Sequence, residues 1–260
     1  MKTKLTLLAL LVAFVACCEQ TDVPTYLNPN APLEERVEDA LSRMTIQEKI
    51  DIIHAQSKFS SPGVARLGIP ELWCTDGPHG IRPDVLWDEW EQAGCTNDSC
   101  VAYPALTALA ATWNREASAL YGKSIGEEAR YREKDVLLGP GVNIYRSPLN
   151  GRNFEYMGED PYLAGQMVAN YVVGMQGTGT MACLKHFVCN NTELYRKLSN
   201  SIVDERAIME IYTPAFKAGI DAGAGSVMTS YNLLNGEWWG QSKYVITDLL
   251  RGTLGFKGLV

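Results

Sequence analysis

The stretch GPGVNIYRSPLNGRNFEYMGEDP, Gly139 to Pro161, gathers two arginines, three carboxylates and four glycines into one loop directly after the apolar run Val136-Leu137-Leu138. Glycine beside arginine suggests a phosphate cradle. Such a cradle needs GxGxxG or GxxxxGKS/T spacing leading into a helix, so that backbone N–H groups converge on the anion. Neither spacing is present. A neutral polyol instead wants fixed donors and acceptors side by side, and arginine forks braced by carboxylates supply both. Similar groups end other short apolar runs: Asp76 after ELWCT, Lys185-His186 after MACL, and Tyr231-Asn232 after SVMTS.

Positioning these groups together requires an alternation of strands and helices. Short apolar runs occur at ELWCTD, DVLLGP, MACLKHF, GSVMTSY and GFKGLV, with helix-length segments between most of them. Apolar spacing predicts helices over Arg115 to Tyr131 and Tyr162 to Met175, and a third over Asp204 to Ala222 opening on a capping aspartate. Two more are signalled upstream, Leu33 to Met44 and Thr45 to His54, the latter by the capping-box pattern Thr45-x-x-Glu48. This is the rhythm of a parallel sheet, in which the loops at the carboxyl ends of the strands build the site. A closed (β/α)8 barrel takes about 250 residues. The chain, at 260 residues, shows strand signals for only about five of the eight positions. The expected fold is therefore α/β, a (β/α)8 TIM-barrel-like domain incomplete at its C-terminal end. The expected organisation is a signal at 1–17, a linker at 18–32 and the barrel domain at 33–260.

The net charge of −7 and a pI near 5.1 exclude a nucleic-acid partner held by clustered Lys and Arg. MKTKLTLLALLVAFVACCEQ has the charged start, apolar run and small-residue boundary of an export signal, too short to span a bilayer. Cysteine after small residues resembles a bacterial lipoprotein signal, with Cys17 the expected lipidated residue. An ordinary cleaved signal is the alternative. The expected location is thus the periplasm or an outer-membrane anchor, with the lipid as the one membrane contact. Cys95 and Cys100 of CTNDSC form the expected local disulfide. The cysteine and histidine spacing fits no zinc site, and neither metal nor cofactor is expected.

Taken singly, each residue has a plainer reading. Asp76 in Asp-Gly-Pro suits a turn, Lys185-His186 a buried strand end, Tyr231 a core position, and Arg152, Glu155, Glu159 and Asp160 a surface ion network. Glu155 and Asp160 are read as bracing, and Trp238-Trp239 as either core or a sugar-stacking face. What raises Asp76, Arg152, Lys185, His186 and Tyr231 above these readings is order. TDGPHGIR, NIYRSPLNGRNFEYMGEDP, LKHF, SVMTSYNLLNG and LRGTLGFKGLV together resemble the N-terminal domain of glycoside hydrolase family 3, in its β-glucosidase branch.

The resemblance implies a retaining exo-glycosidase that binds the terminal β-linked glucose at the barrel rim. Asp76 would accept from the distal hydroxyls, Arg152 with Lys185-His186 would hold the middle ones, Tyr231 would lie near the anomeric centre, and Arg146 would support them. Retaining hydrolysis needs two carboxyl groups about 5–5.5 Å apart. The resemblance puts the nucleophile, an aspartate, about three residues beyond Val260, and the general acid on a second domain. The 260-residue chain alone is accordingly expected to lack turnover and, with an open sheet edge, to aggregate. The runner-up is a β-xylosidase of the same family. From another class comes a non-catalytic sugar-binding lipoprotein.

Overall fold

The computed structural model describes residues 23–94 and 99–260 in two compact units. The signal, its Cys17, and Cys95 of the expected disulfide lie outside the described residues.

The first unit comprises the residues up to Ile53 together with Val64–Ile69. Within the expected linker, Thr25–Leu27 makes a single 3-10 turn. Helices α1 (Leu33–Arg43) and α2 (Ile46–Ile52) follow. The capping box forms as its pattern predicts: Glu48 N donates to Thr45 Oγ1 (3.2 Å) and Thr45 N to Glu48 Oε2 (2.7 Å). Arg66 grips the same carboxylate at 2.7 Å, and its hydrogen bond, with that from Thr45, holds Glu48 down to about 2. Neither helix buries a residue fully, and these polar ties close within the unit. The unit carrying the parallel sheet starts at His54.

Among the described residues, the second unit holds every strand. In chain order it runs β1 (Ser60–Ser61), β2 (Leu72–Asp76), α3 (Leu106–Ala111), α4 (Arg115–Tyr131), β3 (Val136–Leu138), α5 (Pro161–Gln176), β4 (Met181–Phe187) and β5 (Asn200–Ser201). After these come α6 (Glu205–Ala207), α7 (Pro214–Asp221), β6 (Ser226–Thr229), β7 (Leu233–Leu234) and β8 (Glu237–Trp238). The main sheet has the order β1-β2-β3-β4-β6. β2, β3, β4 and β6 are mutually parallel, and β1 pairs antiparallel on the outer side of β2. Leu259 bridges Ser226 in parallel, giving GFKGLV the fifth parallel position. All five apolar runs of the sequence therefore enter one sheet. Their completely buried residues, such as Leu137, Ala182 and Leu184, reflect a sheet covered on both faces.

The helices cover the outer face. α4 and α5 touch backbone to backbone: a Cβ on Gly122 would sit 2.1 Å from Tyr171 O, and one on Gly174 2.0 Å from Ala119 O. Only glycine permits that approach. Tyr171 on α5 then donates to Pro78 O at 3.0 Å, tying the helix layer to the loop after Asp76.

Two features differ from the sequence reading. The helix expected over 204–222 starts as predicted, with Asp204 Oδ1 accepting from Ala207 N (2.8 Å), but widens over Ile208–Tyr212 and restarts at Pro214. Proline supplies no N–H and crowds the preceding turn. A small sheet of order β5-β7-β8 also forms, its hairpin closed by Asn235-Gly236 with both residues at positive φ, 48° and 97°. That is the Asn-Gly hairpin turn.

Candidate functional site

Parallel pairing fixes where the polar groups arrive. Asp76 pairs with Leu138 at the end of β2, the Gly139 loop leaves β3 at that level, and Gly141 bridges Lys185 on β4. Asp76, Arg152, Glu155 and Lys185 consequently meet around a cavity of ≈ 220 Å³ whose lining also includes His79, Arg82 and Phe154.

The four meet as a ladder of alternating charge. Lys185, with only 2% of its side chain exposed, donates to Asp76 Oδ1 at 2.9 Å and lies 3.4 Å from Glu155 Oε2. The other oxygen of Glu155 accepts from Arg152 Nε. Arg152 Nη1 lies 3.9 Å from Glu193 Oε1, and Glu193 Oε2 accepts from Arg196 at 2.8 Å. Burial works against ionisation of Asp76, but the Lys185 charge and hydrogen bond, with the Gly77 N–H, hold its carboxyl below the ordinary range. Burial likewise disfavours the Arg152 cation, and the Glu155 charge more than restores it.

His186 sits behind this wall. Its backbone N donates to Asn143 Oδ1 (2.6 Å) and its Nδ1 lies 2.9 Å from Tyr156 Oη. Burial first, then the Lys185, Arg152 and Arg196 charges, push it well below its ordinary value, so the ring is neutral. Asn190 Nδ2 donates to the same tyrosine hydroxyl at 3.4 Å.

Of the residues singled out in the sequence, Asp76, Arg152 and Lys185 line the cavity. His186, Arg146 and Tyr231 do not. Arg146 stacks over Tyr212 (5.9 Å), while Tyr231, half-exposed after β6, lies under Arg196 (4.7 Å) and Lys197 (5.9 Å). Glu155 is buried and braces the partly exposed Arg152 in place of a surface network, and Asp160 caps α5 by accepting from Tyr162 N (2.7 Å) and Leu163 N (3.0 Å). The tryptophan pair divides: Trp239 is core against Phe187, and Trp238 is half-exposed. Sequence reasoning missed His79, Arg82, Phe154 and Glu193. The first three lie within TDGPHGIR and the Gly139 loop, and His79 meets Phe154 edge to face at 5.3 Å. Cys74, Cys183 and Cys189 are free thiols, with Cys74 pushed up to about 12 chiefly by burial. Among the described residues no cluster of His, Cys, Asp and Glu could hold a metal ion, and no helix is long and apolar enough to cross a membrane.

A parallel α/β sheet with its polar groups gathered at the strand ends is the plan of a barrel domain whose site lies at one rim, and known proteins share it. The model of the glycosyl hydrolase family 3 N terminal domain matches residues 42–260, and the chain belongs to that family. It is 56% identical over 251 residues to beta-glucosidase BoGH3A of Bacteroides ovatus, covering 96% of this chain and 33% of that protein. An exo-alpha-(1->6)-L-arabinopyranosidase of Bifidobacterium longum is 37% identical over 88% of this chain and 30% of its own length. The structure of beta-glucosidase 3B from Thermotoga neapolitana in complex with alpha-D-glucose superposes with a TM-score of 0.78 at 38% identity, covering 86% of this chain and 33% of that one. The fold is thus that of a (β/α)8-like barrel, with five parallel strand positions among the described residues. The chain spans about a third of the length of these relatives.

Proposed function

We propose that this chain is the sugar-binding barrel domain of a retaining, exo-acting β-glucosidase, and that the cavity takes the terminal non-reducing β-D-glucosyl ring. The observation that carries this reading is the charge-matched ladder Asp76-Lys185-Glu155-Arg152 on the cavity wall, with Lys185 and Glu155 buried at its centre. Its charges are already matched to one another, so an ionic ligand would have to break pairs, whereas hydroxyl groups can exchange hydrogen bonds with both signs. A cavity of ≈ 220 Å³ is smaller than the roughly 300–1,000 Å³ usual for drug-sized ligands and suits one sugar ring. The alpha-D-glucose of the Thermotoga neapolitana complex accords with that occupant.

In this reading Asp76 accepts from two sugar hydroxyls, and Lys185 and Arg152 donate to their neighbours. His186 buttresses Lys185, Tyr231 lies toward the anomeric side, and Arg146 supports the set. Asp76 and Glu155 are committed to cations. They therefore serve as holding groups, and the nucleophile and acid/base come from the remainder of the polypeptide. The test is hydrolysis by the complete polypeptide of p-nitrophenyl β-D-glucoside beside the corresponding β-D-xyloside and α-L-arabinopyranoside, with the product anomer followed by NMR. Glucoside preference with retention is expected. A preference for either pentoside would move the specificity to a sugar without the sixth carbon, and no hydrolysis of any would leave a sugar-binding lipoprotein.

A further inference from the structure

Three loops of the site meet at Glu193, a carboxylate set back from the cavity lining. Glu193 stands in the loop after β4, where the chain turns through Arg196 N to Glu193 O (3.3 Å) and Leu198 N to Tyr195 O (2.7 Å). Its Oε2 accepts from Arg196 Nη1 at 2.8 Å, while its Oε1 accepts from Asn190 Nδ2 at 3.1 Å and lies 3.9 Å from Arg152 Nη1. The two arginines depend on it unequally. Arg152, on the loop after β3, also has the nearer Glu155, whereas among the described residues Glu193 is the carboxylate paired with Arg196. The Arg196 guanidinium in turn lies 4.7 Å from the ring centroid of Tyr231, just after β6. That ring is half-exposed, and the backbone beyond it joins the same loop through Leu233 N to Ser199 O (2.8 Å) and the pairing of β5 with β7.

A guanidinium lying on a phenol ring steadies that ring by cation–π attraction, but only while the guanidinium is itself held. An unpaired arginine samples many rotamers, and the ring beneath it loses a fixed neighbour. Glu193 anchors one end of this link, and Tyr231 is what the anchored cation reaches at the other. We infer that Glu193 is a positioning residue for hydrolysis, acting through Arg196 to set the Tyr231 ring on the anomeric side of the bound sugar. The inference rests on the proposed reading of the cavity as the glucosyl site. Because Arg152 keeps Glu155 when the Glu193 charge is removed, the groups that hold the sugar stay in place. The effect therefore falls on turnover and spares sugar binding.

The complete polypeptide tests this with p-nitrophenyl β-D-glucoside. Glu193→Gln keeps the shape of the side chain and removes its charge. It should lower kcat about 10- to 100-fold, the cost of a misplacement of about 1 Å. KM and the calorimetric affinity for glucose should change by less than about threefold. Arg196→Met, which keeps an unbranched stem without the cation, should lower kcat by a similar factor and reads the same link by a second variant. In a Tyr231→Leu background, Glu193→Gln should change kcat by less than about twofold, because the ring through which it acts is gone. A general loosening of the fold would lower kcat by the same factor in both backgrounds. Equal effects in the two backgrounds, a loss carried by KM alone, or wild-type turnover in both Glu193→Gln and Arg196→Met would each overturn the inference. A wild-type protein that neither binds glucose nor hydrolyses the glucoside would overturn the reading of the cavity, and the inference with it.

Discussion

Replacing Glu155 by Gln changes one atom at the centre of the charge ladder and should destabilise the protein by about 3 kcal/mol. Lys185 Nζ lies 3.4 Å from Glu155 Oε2. At an effective dielectric of about 20, that separation corresponds to an attraction of about 5 kcal/mol. Arg152, bound to the other oxygen, adds a second attraction of comparable size. Against both stands the cost of keeping a carboxylate away from water, several kcal/mol, which the amide does not incur. Breaking one member of a buried pair typically destabilises by about 3–5 kcal/mol. Asp76 still neutralises Lys185 from 2.9 Å, which places this substitution at the low end. Urea unfolding followed by tryptophan fluorescence measures it, with Glu159→Gln as reference, since Glu159 is exposed on the same loop and should change stability by less than about 0.5 kcal/mol. Equal unfolding midpoints for the two variants would refute the view that the ladder is a buried brace.

The other two expectations concern pH and recognition. Because burial and the neighbouring cations keep His186 neutral in the folded protein, the unfolded chain binds one more proton once pH falls below about 6.5. Stability should then drop by about 1.4 kcal/mol per pH unit until the folded-state value is reached. His186→Asn should flatten that slope in urea midpoints taken from pH 7.5 to 5, and an unchanged slope would mean the proton is taken elsewhere. Asp76, whose carboxyl is held low, adds its own loss only at more acid pH, as pH falls through its folded value. Arg152→Lys keeps the charge but loses the planar fork that reaches Glu155 and the cavity together. Glucose affinity measured by calorimetry should fall about 10- to 100-fold, and an unchanged Kd would show that Arg152 does not touch the sugar.

How much of this was legible in the sequence follows from the range of the forces involved. Helix α4 forms over the predicted Arg115–Tyr131 because apolar period and cap are local properties, here sealed by Asn114 Oδ1 accepting from Glu116 N and Ala117 N. The five strands were visible as apolar runs for the same reason. The break before Pro214 and the Asn235-Gly236 hairpin carried standard local signals too, yet the first was overridden by a long helical pattern and the second was masked by the paired tryptophans beside it. The fate of Glu155 lay beyond any local signal. Glu155 lies in the loop after β3 and its partner Lys185 on β4, and only the parallel register that sets Gly141 against Lys185 brings them together. Motif order could rank Asp76, Arg152 and Lys185 above their plainer readings. It could not show that the carboxylate between the two cations is buried, nor that Arg82 faces the same cavity.

That burial bears on how the cavity would recognise a sugar. A free lysine or arginine in a cavity wall would be mobile, and ordering it on binding would oppose affinity by about 0.5–1.5 kcal/mol per side chain. Here Glu155 fixes both cations before a ligand arrives, yet the three protons of the Lys185 ammonium face only two carboxylates, and Arg152 commits its Nε while keeping terminal N–H groups in reserve. The donors left over are held in place by charges that water scarcely screens, since Lys185 and Glu155 are almost fully buried. Hydroxyl groups of a neutral ring can take those donors without separating any ion pair, which an anion could not do without competing with Asp76 for Lys185. In the proposed reading, the preference for a polyol over a phosphate suggested by the loop's composition has its physical basis in Glu155, a residue that need not touch the sugar.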